Sequence, residues 1–262
     1  MNIIEAIHNR TSIRNYLPRP LTPLLDNLLQ KSIDNAESPF GGSFTIALRS
    51  FDFGNQAIPS TYGVIKGARS FLLMAYSDDN IDALSAGYAM ERIVLDATMQ
   101  QLGTCWLAGT FKGSQFSRGF ESPQGTRLKI VIPVGFPAPK RSLREKVMRF
   151  AVSSDKRKPM KDLFFDSSFD SPLGSDSRFY EPLQLMRLAP SSTNSQPWKA
   201  VVCGDTVHFY IKSRGQISYL DCGIGLCHFS IGMGSGSGSY VSDPSAPSPA
   251  KGLDYVISFR QA

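Results

Sequence analysis

Apolar residues recur along the chain in two rhythms, a helical one and a short extended one, and the order of the two repeats. Between residues 22 and 36, Leu24, Leu25, Leu28, Leu29 and Ile33 share one helical stripe, opened by Thr22 as a cap and Pro23 in the first turn. Phe44 to Arg49 and Ser70 to Tyr76 are short runs of aromatic and branched residues bounded by Gly-containing turns, the pattern of strands. Residues 81–102 predict a long helix carrying Ala83, Gly87, Met90, Val94, Ala97 and Met99, closed by Gly103 at its C′ position. Its many small residues point to close packing at the centre of the protein. Arg127 to Phe136 predicts a buried strand that Pro137 and Pro139 end.

Residues 166–177 (DSSFDSPLGSDS) are polar, Ser-rich and broken by Pro172 and Gly174, so they are read as a linker between a first half, 1–165, and a second half, 178–262. Beyond it the order recurs: a helix at 179–188, strands at 200–203 and 207–212 around Gly204-Asp205, a helix at 220–233, and a strand at 255–260. Two successive helix, strand, strand, helix, strand series imply a pseudo-twofold arrangement, a dimer fused into one chain. The Gly/Ser/Pro tract that follows Met233 predicts a mobile surface loop without chemistry.

Composition narrows the function. With 42% apolar and 19% charged residues in 262, the chain is globular. The net charge of +6 favours an anionic partner without specifying one. The densest basic cluster, Lys156-Arg157-Lys158, is too short for a nucleic-acid stripe, so no nucleic-acid partner is expected. No run approaches the length of a membrane span and Glu5 interrupts any leader-like N-terminus, which predicts a cytoplasmic protein with no membrane partner. Four cysteines without a CxxC pair make no disulfide framework, and Cys222, Cys227 and His228 on an apolar helix are read as packing, with no metal site. None of His8, His208 and His228 sits in a triad-like setting, and the phosphate-loop, dinucleotide, zincin and hydrolase-elbow motifs are absent. A bound cofactor is then the better carrier of chemistry, and no side chain is assigned a catalytic role.

Four segments stand out. In Arg10-Thr11-Ser12-Ile13-Arg14-Asn15-Tyr16, alternation puts Arg10, Ser12 and Arg14 on one side, two forked cations flanking a hydroxyl, which suits a phosphate or a solvated surface equally. Residues 189–198 (APSSTNSQPW) form a run of hydroxyl and amide side chains closed by Trp198 as a core anchor, a loop that brings donors close to a planar polar ring. Residues 102–109 (LGTCWLAG) leave the long helix through a glycine and expose backbone groups. Lys156-Arg157-Lys158-Pro159 is a second cationic element.

Together these segments resemble the flavin-dependent nitroreductase family, through R-x-S-x-R-x-[FY], A-P-S-S-x-N-x-Q-P-W, L-G-x-C-W-x-x-G, the Gly135-Phe136-Pro137 triplet and the late R-x-P. The resemblance spans most of the chain. It implies an α+β sandwich binding FMN, reduction by NAD(P)H, and electron delivery to a nitroaromatic, a quinone or a similar small acceptor. By the same resemblance Arg10, Thr11, Ser12, Arg14 and Arg157 match phosphate and ribityl contacts, and Leu107, Ala108 and Gly109 match backbone contacts near the ring. Pro190, Ser191, Ser192 and Asn194 match the loop that reaches across the family's dimer interface.

One departure from the family pattern is informative. The P-S-S-x-N-x-Q-P-W loop ordinarily follows the first helix, where this chain has residues 35–42 (NAESPFGG) instead; the intact loop occurs only in the second half, which lacks its own R-x-S-x-R and L-G-x-x-W. The chain therefore resembles a pseudo-dimeric nitroreductase with one flavin site, expected to be a monomer, with further dimerisation left open by the internal duplication. The Gly-Thr-Cys-Trp exit is shorter than the family's usual one, and Phe40, Phe111 and Tyr62 are candidates for covering the flavin face. A closed face would make the protein a flavin-binding or storage protein instead of an enzyme, and a scaffold that dispenses with its arginines is a third reading.

Overall fold

Asn2 opens the first helix, α1 (Ile3–Asn9), with a capping box: its side chain accepts Glu5 N–H and the Glu5 carboxylate accepts Asn2 N–H. Thr22 caps α2 (Pro23–Asp34), its hydroxyl accepting Leu25 N–H at 3.4 Å, with Pro23 at the first helical position. The computed structural model describes residues 1–51, 58–139 and 156–262; residues 52–57 and 140–155 of the predicted first half lie outside the described residues. The chain divides into two compact units, one of residues 1–37, 43–78 and 90–151, the other of residues 38–42, 79–89 and 152–262.

Unit 1 is built on a four-stranded antiparallel sheet. Its strands are β1 (Thr45–Ser50), β2 (Ser70–Tyr76), β3 (Gly103–Thr104) and β4 (Arg127–Gly135), in the order β1-β2-β4-β3. β2 is buried along its whole length, as its unbroken apolar run requires. Tyr16, Phe51, Phe71, Leu73, Phe116 and Val131 form one core cluster, to which the short helix α4 (Gly113–Phe116) contributes Phe116. The long helix α3 (Asn80–Met99) gives its residues to both units. It does not end at Gly103 as the sequence pattern predicts. Gln101 takes the left-handed turn at φ 61°, with Leu102 N–H reaching back to the Ala97 carbonyl at 3.0 Å. Gly103 instead starts β3, where a Cβ would lie 2.9 Å from the Ile13 side chain, so the glycine serves close approach and not capping.

Unit 2 carries a five-stranded sheet of β5 (Phe164–Asp166), β6 (Trp198–Cys203), β7 (Thr206–Ile211), β8 (Gly238–Val241) and β9 (Asp254–Gln261), in the order β5-β6-β7-β9-β8. Only the β5 and β6 pair is parallel. Its own helices are α5 (Tyr180–Leu188) and α6 (Gln216–Met233). Residues 166–177, read from composition as a linker, bond to this sheet: Ser167 N–H to the Val202 carbonyl at 2.7 Å and Leu173 N–H to that of Phe164 at 3.0 Å. The Gly/Ser/Pro tract, expected to be a mobile loop, supplies edge strand β8. Composition hid this strand because backbone pairing with β9 makes it, and its one large side chain does the packing. Gly238 lies so close to the Arg260 carbonyl that a Cβ would be 2.2 Å away, and the Tyr240 ring meets Phe259 edge-on at 5.3 Å.

The duplication predicted from element order extends to a detail of the sheets. β2 pairs with β4 and β7 pairs with β9, and each pairing slips by one residue, leaving Lys129 and Val256 as the extra residues. Each is the third residue of its strand, with two paired positions beyond it. Helices also answer one another within unit 2. A Cβ on Gly87 would lie 2.2 Å from the Leu220 carbonyl oxygen, and one on Gly223 would lie 2.0 Å from that of Leu84. The reciprocal contact makes Leu84-Ser85-Ala86-Gly87 on α3 the counterpart of Leu220-Asp221-Cys222-Gly223 on α6.

Candidate functional site

In unit 1 the segment after α1 runs extended along the sheet edge. Ile13 N–H bonds the Thr104 carbonyl at 2.8 Å, while Tyr16 N–H and Lys66 N–H exchange bonds with the Lys66 and Arg14 carbonyls, both at 2.9 Å. Ile13 packs into the core cluster with Tyr16, whose hydroxyl donates to the Ile13 carbonyl at 2.7 Å. Arg10 is oriented from α3: its side chain is 6% exposed and its Nε lies 3.9 Å from the fully buried Glu91 carboxylate. The other Glu91 oxygen accepts the Trp106 indole N–H at 2.9 Å. Arg14 differs, since its Nε and Nη1 are buried and meet no hydrogen-bond partner among the described residues.

Leu107 commits both backbone groups to Val131, its N–H donating at 3.1 Å and its carbonyl accepting at 3.0 Å. That pairing fixes the exit from β3 and leaves Ala108 and Gly109 exposed immediately beyond it. Backbone bridges in unit 1 thus set Ser12 beside Thr104 and Leu107 beside Val131, while the Arg10 side chain meets Glu91 on α3.

In unit 2 the predicted ring-facing loop follows α5 and ends on Trp198, which is fully buried, as an anchor should be. Thr193, Asn194 and Gln196 all adopt left-handed backbone, at φ 51°, 55° and 45°, a conformation that costs a residue with a Cβ and has to be held in place. The restraints come from several directions. Gln196 N–H donates to Ser191 Oγ at 2.9 Å, and Asn194 Nδ2 donates to the Lys156 carbonyl at 2.8 Å. Arg157 places one terminal nitrogen on Asn194 Oδ1 at 3.1 Å and the other on the Leu188 carbonyl at 3.0 Å. Lys158 Nζ donates to the Ser195 carbonyl at 2.7 Å. Ser192 N–H points at Asp221 on α6, 2.9 and 3.0 Å from its two oxygens. Asp221 is 3% exposed, and burial pushes its carboxyl up to about 7 against the opposing pull of the Ser192 and Ser195 hydrogen bonds.

Glu91 and Asp221 belong to none of the sequence motifs. Each had a signal: a single carboxylate at a position whose helical neighbours are small or apolar, which seldom stays buried without a partner. Of the aromatic residues proposed as covers, Phe40 is packed edge-on against Tyr88 at 5.4 Å and Tyr240 at 4.9 Å, and Phe111 against Phe116 at 5.7 Å. Tyr62 is 60% exposed. His208 and His228 are buried, with Nδ1 beside Ser258 Oγ at 2.7 Å and the Leu185 carbonyl at 3.1 Å. Among the described residues no group of His, Cys, Asp and Glu is arranged to hold a metal, and no helix is long and apolar enough to cross a membrane.

A family model described as "Putative TM nitroreductase" matches residues 2–233. The fold is similar to that of a putative nitroreductase from Thermotoga maritima, at 20% identity and a TM-score of 0.64, with 100% of this chain and 94% of that one covered. A putative nitroreductase in complex with FMN from Desulfovibrio desulfuricans aligns over 56% of this chain and 95% of its own, at 22% identity and a TM-score of 0.42. A nitroreductase with bound FMN from Bacteroides fragilis aligns over 55% and 92%, at 14% identity and a TM-score of 0.44. No curated protein matches closely enough to count as a relative.

Proposed function

We propose, from the premise that the chain belongs to the family described as putative TM nitroreductases, that it is an FMN-dependent oxidoreductase driven by NAD(P)H and reducing nitroaromatic, quinone or similar small acceptors. The observation that carries the flavin is Arg14. Two buried guanidinium nitrogens without a hydrogen-bond partner among the described residues are costly in a folded protein, and a phosphate oxygen is an acceptor that would offset that cost. The residues present therefore fit FMN.

When bound, the flavin would supply the redox chemistry, taking a hydride from the nicotinamide and passing reducing equivalents to the acceptor. The chain's own residues bind and orient. Arg14 and Arg10 would hold the phosphate with Ser12 and Thr11, Arg10 being aimed by Glu91. In unit 1, Leu107 anchors the turn whose Ala108 and Gly109 backbone would meet the ring; in unit 2, Pro190, Ser191, Ser192 and Asn194 form the segment that the family pattern assigns to the flavin. Arg157 acts here through the loop it grips, fixing Asn194. We further read the chain as a fused pseudo-dimer acting as a monomer, a reading supported by the repeated element order and the matching bulges.

Visible absorption of the purified protein, with FMN and then NADPH or NADH added without oxygen, tests the proposal. A flavin band retained through gel filtration at about one per chain, bleaching on addition of nicotinamide, is the expected result. A band that stays oxidised with both nicotinamides but bleaches with dithionite would reduce the function to flavin storage. Failure to retain FMN would overturn the reading.

A further inference from the structure

We infer that Asp221 is a positioning residue for the flavin-facing loop: its carboxylate, set in the middle of buried helix α6, takes the Ser192 N–H on both oxygens and so holds residues 191–195 in their shape. The inference rests on the proposed flavin role of that loop.

Three observations support it. Burial of a carboxylate is costly, and none of the described residues offers Asp221 an opposite charge; its hydrogen-bond donors are Ser192 N–H and, at 3.5 Å, the Ser195 hydroxyl. Both lie in the loop, so the group's hydrogen bonding is directed wholly at it. Secondly, the loop needs restraint, because Thr193, Asn194 and Gln196 sit in left-handed backbone. Arg157 and Lys158 grip Asn194 and the Ser195 carbonyl, leaving Ser192 to Asp221. Thirdly, the first half repeats the device. The reciprocal glycine contacts make Ser85 the counterpart of Asp221, and Ser85 Oγ accepts Gly42 N–H at 3.0 Å, in the segment that stands where the first half has lost its P-S-S-x-N-x-Q-P-W loop. The same helix position thus ties down the same connection in both halves. Where the loop is short and glycine-rich a hydroxyl serves; where it is strained and carries side-chain donors a carboxylate does.

Two substitutions separate positioning from mere stability. Asp221→Asn keeps an acceptor for Ser192 N–H and a donor for Ser195 Oγ, whereas Asp221→Leu keeps much of the volume and removes every acceptor. Hydrogen exchange of the flavin-free proteins is expected to show faster exchange in 192–196 for the leucine variant, with β6 and α6 unchanged, and protection restored in the asparagine variant. FMN affinity should fall about tenfold or more for leucine and stay within about threefold for asparagine, as expected for loss or retention of a hydrogen bond. Should Asp221→Leu fail to fold, Ser192→Pro against Ser192→Ala removes the same N–H from the other side. Ser191, at φ −148° and ψ 158°, already has the backbone that a following proline requires. Equal loop protection and equal FMN affinity in the variants lacking the bond would overturn the inference. Wild-type protein that bound no FMN would overturn the flavin reading instead, and the exchange measurement would still decide whether Asp221 holds the loop.

Discussion

The Glu91 carboxylate accepts the Trp106 indole N–H at 2.9 Å while its second oxygen faces the Arg10 guanidinium. One buried side chain on α3 thereby links the start of the proposed phosphate clamp to the segment that leads into Ala108 and Gly109. Glu91→Ala removes the anion beside a guanidinium whose side chain is only 6% exposed, a change that costs about 3–5 kcal/mol in comparable buried pairs. Urea unfolding of the flavin-free protein should show a loss of that size, with Glu91→Gln losing less because it still offers the indole an acceptor.

Arg14 is expected to behave in the opposite sense. Replacing it with Met deletes the two buried nitrogens that meet no hydrogen-bond partner among the described residues, so the flavin-free protein should gain about 1 kcal/mol while its affinity for FMN falls tenfold or more. Thermal melts with and without FMN would show a raised baseline and a lost ligand-induced shift. A variant that melts lower and binds FMN normally would remove Arg14 from the clamp.

At the crossing of α3 and α6, Gly87 and Gly223 each face a main-chain carbonyl that cannot rotate away as a side chain could. Either Gly→Ala change should destabilise at the upper end of overpacking effects, about 3 kcal/mol. Once one alanine has pushed the helices apart the second meets less resistance, so the double variant should lose less than the sum of the two. Denaturant midpoints of the three proteins measure this directly.

Regular elements were legible wherever an apolar rhythm made them: α2, β2, β4 and β7 lie where periodicity puts them, and Trp198 is the core anchor its position before a strand suggested. What stayed hidden was made by backbone. β8 exists because Gly238 to Val241 pair with β9, and the chain turns off after α3 at Gln101 because the Leu102 N–H finds the Ala97 carbonyl; neither depends on a side-chain pattern. The arginines and the loop could be named from sequence because motifs carry them. Glu91 and Asp221 could not, since a carboxylate in a helix acquires its meaning only from the distant groups that face it, Arg10 and Trp106 for one and Ser192 for the other.

Asp221 also sets a direction for pH dependence. Burial raises its carboxyl from 3.8 to about 7, so between those values the folded chain binds a proton that the unfolded chain has released. Stability contributed by this group is therefore fully present at acid pH and declines as pH rises, the loss being complete above about pH 8. Three pKa units correspond to of order 4 kcal/mol. Asp78 and Asp243, whose carboxyls lie low beside Lys129 and Ser245, act in the opposite direction but equally in any Asp221 variant. Comparing wild type with Asp221→Asn by urea unfolding at about pH 5 and pH 8 cancels them. Relative to the asparagine variant, wild type should lose stability between the two pH values; an unchanged difference would mean that the carboxylate ionises in its ordinary range and is not desolvated as its place in α6 demands.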